Sequence, residues 1–126
     1  MFGPVQSGKS VNRPFGTAVV DGFDFDFETG TQNMVPFANR LRSNMDAAAG
    51  KKYFLSTAPQ CVYPDFAMNE MLNGAVSFDF VNIQFYNNWC GVQNYRPGSA
   101  TQDAFNFDVW DNCRLCCYTL RSWFSC

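Results

Sequence analysis

Apolar and acidic side chains alternate one for one from Phe23 to Glu28: Phe23, Phe25 and Phe27 stand against Asp24, Asp26 and Glu28. A period of two marks an extended strand, whose successive side chains point to opposite faces. The pattern predicts a strand from Val19 to Phe27, closed by a Thr-Gly-Thr turn at 29–31. From Asn33 to Ala49 the period lengthens. Met34, Phe37, Leu41 and Met45 recur near helical spacing, with Arg40, Arg42 and Asp46 elsewhere on the wheel. Asn33 suits an N-cap, Pro36 the first turn and Gly50 a C-terminal stop. A second strand is predicted from Tyr53 to Ala58, then a loop marked by Pro59 and Pro64, then a short helix from Ala67 to Leu72 stopped near Gly74. Phe78 to Tyr86 reads as a third strand, whose nearly continuous apolar run predicts cover on both faces. Asn87 to Thr101 reads as a long polar loop, with a further helix beginning near Ala104, and residues 1–16 read as a loop.

Strand, helix, strand, helix, strand in that order implies right-handed βαβ units and a parallel sheet, so the fold class is α/β. Polar residues gather where each strand ends: Asp26 and Glu28, then Gln60, then Gln84 and Tyr86. Parallel α/β folds place their chemistry at the C-terminal ends of strands. An ordinary half-buried strand, with Phe inward and acids in water, accounts for the first segment alone. It does not account for the agreement of three strands.

Neighbours in the acidic row lie about 6.7 Å apart along an extended chain. Three carboxylates held that close repel, which favours a retained proton on at least one. A stored proton beside a fixed negative charge suits acid-assisted bond cleavage.

Composition narrows the chemistry. The 126 residues make one domain by length, and 47% hydrophobic residues with 14 Phe are ample for a packed core. The absence of histidine removes Ser-His-Asp and Cys-His catalysis and His-ligated zinc, leaving carboxylates and tyrosines for acid–base work. A net charge of −2 without a basic run argues against nucleic acid or an anionic membrane as partner. No apolar run is long enough to cross a bilayer, and residues 1–15 lack the apolar stretch of a secretory signal. Cys61 and Cys90 stand apart, whereas Cys113, Cys116, Cys117 and Cys126 crowd the C-terminus without a partner Cys pair at structural-zinc spacing. No cofactor or metal is expected.

Three blocks carry a family likeness. Asp21-Gly-Phe-Asp-Phe-Asp-Phe-Glu28 resembles the DxxDxDxE signature of glycoside hydrolase family 18. Tyr53-Phe-Leu-Ser-Thr-Ala-Pro-Gln-Cys-Val-Tyr-Pro-Asp65 and Phe78-Asp-Phe-Val-Asn-Ile-Gln-Phe-Tyr-Asn-Asn88 are similar to the next two strands of plant and fungal class III chitinases, in family order and spacing. The likeness runs from about Phe2 to Asn112, with fungal sequences nearest. It implies a partial (β/α)₈ TIM barrel holding parallel strands four to six and their helices. Such a barrel typically needs about 250 residues. Residues 1–112 would then be part of the catalytic domain. Residues 113–126 depart from the family pattern, either as a gene-model artefact or as a divergent Cys-rich tail.

The resemblance also implies roles. Family 18 enzymes cleave β-1,4 links between N-acetylglucosamine units with retention, the substrate's acetamido oxygen serving as nucleophile. Glu28 would be the general acid and then the base, Asp26 would orient the acetamido N–H, and Asp24 would share a proton with Asp26. Tyr86 matches the family tyrosine that contacts the acetamido carbonyl. Gln84, Gln60 and Trp89 are candidates for sugar contacts, although a packed tyrosine, a loop hydrogen bond and a packed tryptophan remain open for Tyr86, Gln60 and Trp89. Asp21 is assigned a structural role, and Cys61 with Cys90 match a disulfide between two active-site loops. An extracellular setting and chitin or chitooligosaccharide as partner follow from the same likeness. The first functional expectation is an endo-type chitinase, weak or inactive as a three-strand piece. The second is a carbohydrate-binding protein without turnover, and the third a self-associating product of a broken gene.

Overall fold

The computed structural model describes residues 18–112 of the chain. The expected loop over 1–16 and the cysteines at 113, 116, 117 and 126 lie outside these residues. The period-two segment forms β1 (Gly22–Phe25), with Phe25 buried and Asp24 exposed. Beyond the strand the alternation continues in half-buried Phe27 and in exposed Asp26 and Glu28. Then follow α1 (Met34–Asp46), β2 (Phe54–Thr57), β3 (Phe80–Val81) and α2 (Phe107–Asp111). The three strands form one sheet in the order β1-β2-β3, and both pairings are parallel, as the order of elements predicts.

The strands are shorter than the pattern suggests. β3 forms a regular ladder only at Phe80–Val81, and pairing resumes as a single bridge between Gln60 and Gln84. Pro59 explains the gap in part, because it has no N–H to give a ladder; its carbonyl still accepts from Gln84 N–H at 2.8 Å. The expectation that residues 78–86 are covered on both faces is not met among the described residues. Phe80, Val81, Ile83 and Phe85 are only half-buried.

α1 starts on Asn33, though not through its side chain. Asn33 sits at φ 60° without a side-chain cap, and its carbonyl accepts from Phe37 N–H. The buried face is Ala38, Leu41 and Met45. Phe37, predicted to line the core, is 54% exposed. It lies one position off that stripe, and its ring stacks on Phe25 at 6.0 Å from the flank. The helix ends at Asp46 rather than Ala49, and Gly50 follows at φ 99°, a value that suits glycine. The expected short helix is a turn wound more widely than an α-helix, over Met71–Ala75, ended by Gly74 at φ 84°. α2 begins at Phe107 rather than Ala104.

One buried cluster contains Phe25 of β1, Leu55 of β2, Phe78, the α1 stripe, and Met68, Met71 and Val76 from the turn. A second joint binds α1 to the strands. Asp79 accepts from Arg42 Nη1 at 2.8 Å and from Leu55 N–H at 2.9 Å. Arg42 also pairs with Asp46 and donates to the Tyr53 carbonyl. Opposite Phe54 of β2 lies Gly22 of β1, where an added Cβ would fall 2.0 Å from the Phe54 carbonyl oxygen. Backbone cannot yield at that distance, so β1 and β2 approach as they do only because residue 22 lacks a side chain. Gly22→Ala should therefore lower stability by about 3 kcal/mol or more, read as the shift in urea midpoint; an unchanged midpoint would refute the packing argument.

Candidate active site

The parallel register sets the site. Asp24 lies directly beside Ser56 across the β1–β2 ladder, and the Ser56 hydroxyl donates to Asp24 Oδ1 at 2.5 Å. Two residues on, Asp26 Oδ1 accepts from Gln84 Nε2 at 2.8 Å. The same amide nitrogen donates to the Ala58 carbonyl at 2.7 Å, so one side chain joins the carboxyl ends of all three strand segments. Gln84 is buried at 5% exposure, which strengthens both bonds relative to a wet surface. The remaining carboxylate oxygens of Asp24 and Asp26 make no hydrogen bond among the described residues. Glu28, last in the row, is exposed and has no hydrogen bond or ion pair among them.

The other predicted site residues divide into groups. Tyr86 is 55% exposed beyond β3, at the same carboxyl end of the sheet, and no hydrogen bond reaches its hydroxyl among the described residues. Gln60 pairs by backbone with Gln84, and its N–H donates to Asp65 Oδ2. Trp89 is exposed, and its carbonyl accepts from Asn94. Asp21 lies apart from the row, at the opposite end of β1. Its exposed carboxylate pairs with Lys51 Nζ at 2.6 Å, and its carbonyl accepts from Phe54 N–H. So exposed an ion pair adds little stability.

Cys61 and Cys90 form a disulfide that ties the segment after β2 to the segment after β3. Closing a loop across a sequence separation of 29 contributes about 3 to 4 kcal/mol in a chain-entropy account. The Cys61 carbonyl accepts from Trp110 Nε1 at 2.9 Å and from Asn106 Nδ2 at 2.7 Å, so α2 packs against the same loop.

Sequence reasoning missed two residues. Ser56 shares the parity of Phe54 on β2, and parallel pairing puts it beside Asp24; the register was the missing information. Asp65 is buried and caps its own turn, accepting from Gln60 N–H and Met68 N–H. Its place after Tyr63-Pro64 was the available signal.

A row of three carboxylates, with one hydroxyl donor on Asp24 and one amide donor on Asp26, thus lies at the carboxyl end of a parallel sheet. Residues 5–112 match the family described as glycosyl hydrolases family 18. The chain belongs to glycosyl hydrolases family 18. It is 57% identical over 112 residues to "Endochitinase 33" of Trichoderma harzianum, covering 89% of this chain and 35% of that protein. Among solved structures, the xylanase and alpha-amylase inhibitor protein XAIP-II of Scadoxus multiflorus superposes with a TM-score of 0.65 at 36% identity, over 87% of this chain and 38% of that one. The ICChI chitinase of Ipomoea carnea does so with a TM-score of 0.63 at 33% identity, over 85% and 37%. The family 18 likeness and these neighbours make the fold TIM-barrel-like α/β. The chain spans about a third of the length of that endochitinase and of the class III chitinase of Arthroderma benhamiae, to which it is also 57% identical.

The Gln84 amide is the joint of this candidate site. Gln84→Leu leaves the Ala58 carbonyl without its side-chain donor and releases Asp26. It should cost about 2 kcal/mol in urea unfolding. Ser56→Ala should cost about 1 kcal/mol or less, because Asp24 faces water. Equal effects of the two would contradict the assignment of Gln84 as the joint.

Proposed function

We propose that this chain carries the catalytic acids of a chitinase, an endo-acting, retaining and substrate-assisted hydrolase of β-1,4-linked N-acetylglucosamine. The observation that carries the reading is the different engagement of the three acids. Asp24 and Asp26 are each held through one oxygen, and Glu28 is left unengaged at the exposed end of the row. β1, β2 and β3 correspond in this reading to barrel strands four to six, residues 1–112 to part of the catalytic domain, and residues 113–126 to a divergent tail. The disulfide suits an extracellular protein.

In the reaction the acetamido oxygen of the substrate attacks the anomeric carbon as the glycosidic C–O bond breaks. Glu28 gives its proton to the leaving oxygen. The resulting carboxylate then takes a proton from the water that opens the oxazolinium ion, which returns Glu28 to its acid form. Asp26 accepts the acetamido N–H through Oδ2, while Gln84 keeps Oδ1 and so fixes the plane of the carboxylate. Asp24, steadied by Ser56, sits one step deeper in the row and shares a proton with Asp26. The Tyr86 hydroxyl donates to the acetamido carbonyl and steadies it for attack. Gln60 and Trp89 contribute sugar contacts around this centre.

A second reading has support in the scaffold. A neighbour at 36% identity is named as an inhibitor of xylanase and alpha-amylase, so this fold is not confined to proteins named as chitinases. The second reading is a protein that binds chitooligosaccharide without cleaving it. Hydrolysis of a fluorogenic chitotrioside separates the two. The expected result is slow turnover that falls at least about 100-fold in Glu28→Gln, with chitotriose binding retained. Binding with no wild-type turnover would establish the second reading, and neither binding nor turnover would defeat both.

A further inference from the structure

Phe66 is 86% exposed, more than any other large apolar residue among those described. Isolated exposed apolar side chains are ordinary and usually need no account. Two features set Phe66 apart. Its ring lies over Gly30, where an added Cβ would fall 3.2 Å from Cε1 and 3.5 Å from Cζ. Gly30 is two residues beyond Glu28, so their Cα atoms are at most about 7 Å apart. The ring therefore lies over the turn that follows the catalytic acid of the proposed reaction, on a loop from a different strand.

The second feature is rigidity beneath an exposed ring. Phe66 follows Asp65, which is 2% exposed and accepts from Gln60 N–H and Met68 N–H on either side of the turn. Asn69 N–H donates to the Asp65 carbonyl, and Met68 after it is fully buried. Upstream, Cys61 is fixed by the disulfide to Cys90 and by two donors to its carbonyl. The loop thus holds an apolar face in water with little freedom to bury it. Thr29 and Thr31, both exposed, flank Gly30 and offer hydroxyls at its edge.

We infer that Phe66 and the Thr29–Thr31 segment form an additional sugar-binding subsite, where the ring stacks on the C–H face of an N-acetylglucosamine unit adjoining the one held at Glu28. A flat aromatic face takes up the apolar side of a pyranose, and threonine hydroxyls take up its equatorial rim. The absence of a side chain at position 30 lets the ring settle closely on the backbone there. The subsite deepens the chitin reading and rests on it.

Calorimetric titration of the full chain with chitohexaose tests it. Wild type binds, Phe66→Ala weakens binding about 10-fold, and Phe66→Trp stays within about 2-fold of wild type. Circular dichroism should be unchanged in both variants, because the side chain supports no core. Wild-type binding with an undiminished Phe66→Ala overturns the subsite and leaves the chitin reading intact. Equal weakening by Ala and Trp also overturns it, because stacking would not be the cause. Absence of wild-type binding overturns the chitin reading and the subsite together.

Discussion

A single side-chain amide holds the carboxyl end of this sheet in register. Gln84 reaches from the segment after β3 to the Ala58 carbonyl after β2 and to Asp26 after β1. Backbone pairing is sparse there: β3 contributes two ladder residues, followed by one bridge. Without the amide, the spacing between the acid row and the third strand would depend on two backbone bonds, Asn82 N–H to Thr57 and Gln84 N–H to Pro59. Burial of Gln84 makes the arrangement durable, because breaking either bond would leave its amide short of an acceptor in a poorly solvated place.

The loops above the sheet are fixed by a separate set of contacts. The disulfide, the Trp110 and Asn106 donors to Cys61, and the internal cap by Asp65 all act on the segment after β2. That segment carries Gln60 at its start and Phe66 near its end. Its rigidity means that Gln60 and Phe66 are positioned together rather than independently. A change at Trp110, remote in sequence, would therefore be felt at Gln60 and Phe66 through the Cys61 carbonyl.

Much of this was legible from residue order. The alternation at 23–28 named the strand and both its faces, because burial of Phe25 against exposure of Asp24 and Asp26 is a local consequence of the pleat. The parallel sheet followed from the order of elements. Other features depended on tertiary partners. Phe37 and Ala38 are consecutive in the chain, and each falls at helical spacing from Leu41, so periodicity could not decide which faced the core; packing against the sheet chose the smaller residue. The extent of β3 was set by where β2 stops offering donors, at Pro59, rather than by the apolar run of β3 itself. Ser56 became meaningful only once the register put it beside Asp24.

The two ends of the sheet divide the work. At the amino end, Gly22 admits the Phe54 carbonyl, and Asp79 gathers Arg42 and the Leu55 N–H into one joint that packs α1 on the strands. Those groups are engaged with one another. At the carboxyl end, Asp24 and Asp26 each keep an uncommitted oxygen, and Glu28 keeps its whole carboxylate. Folding tolerates such under-used acceptors only where water reaches them, and the exposure of all three acids meets that condition. The strand therefore carries a gradient from satisfied to unsatisfied groups, and the acceptors still free to bind lie at the end where Glu28 stands.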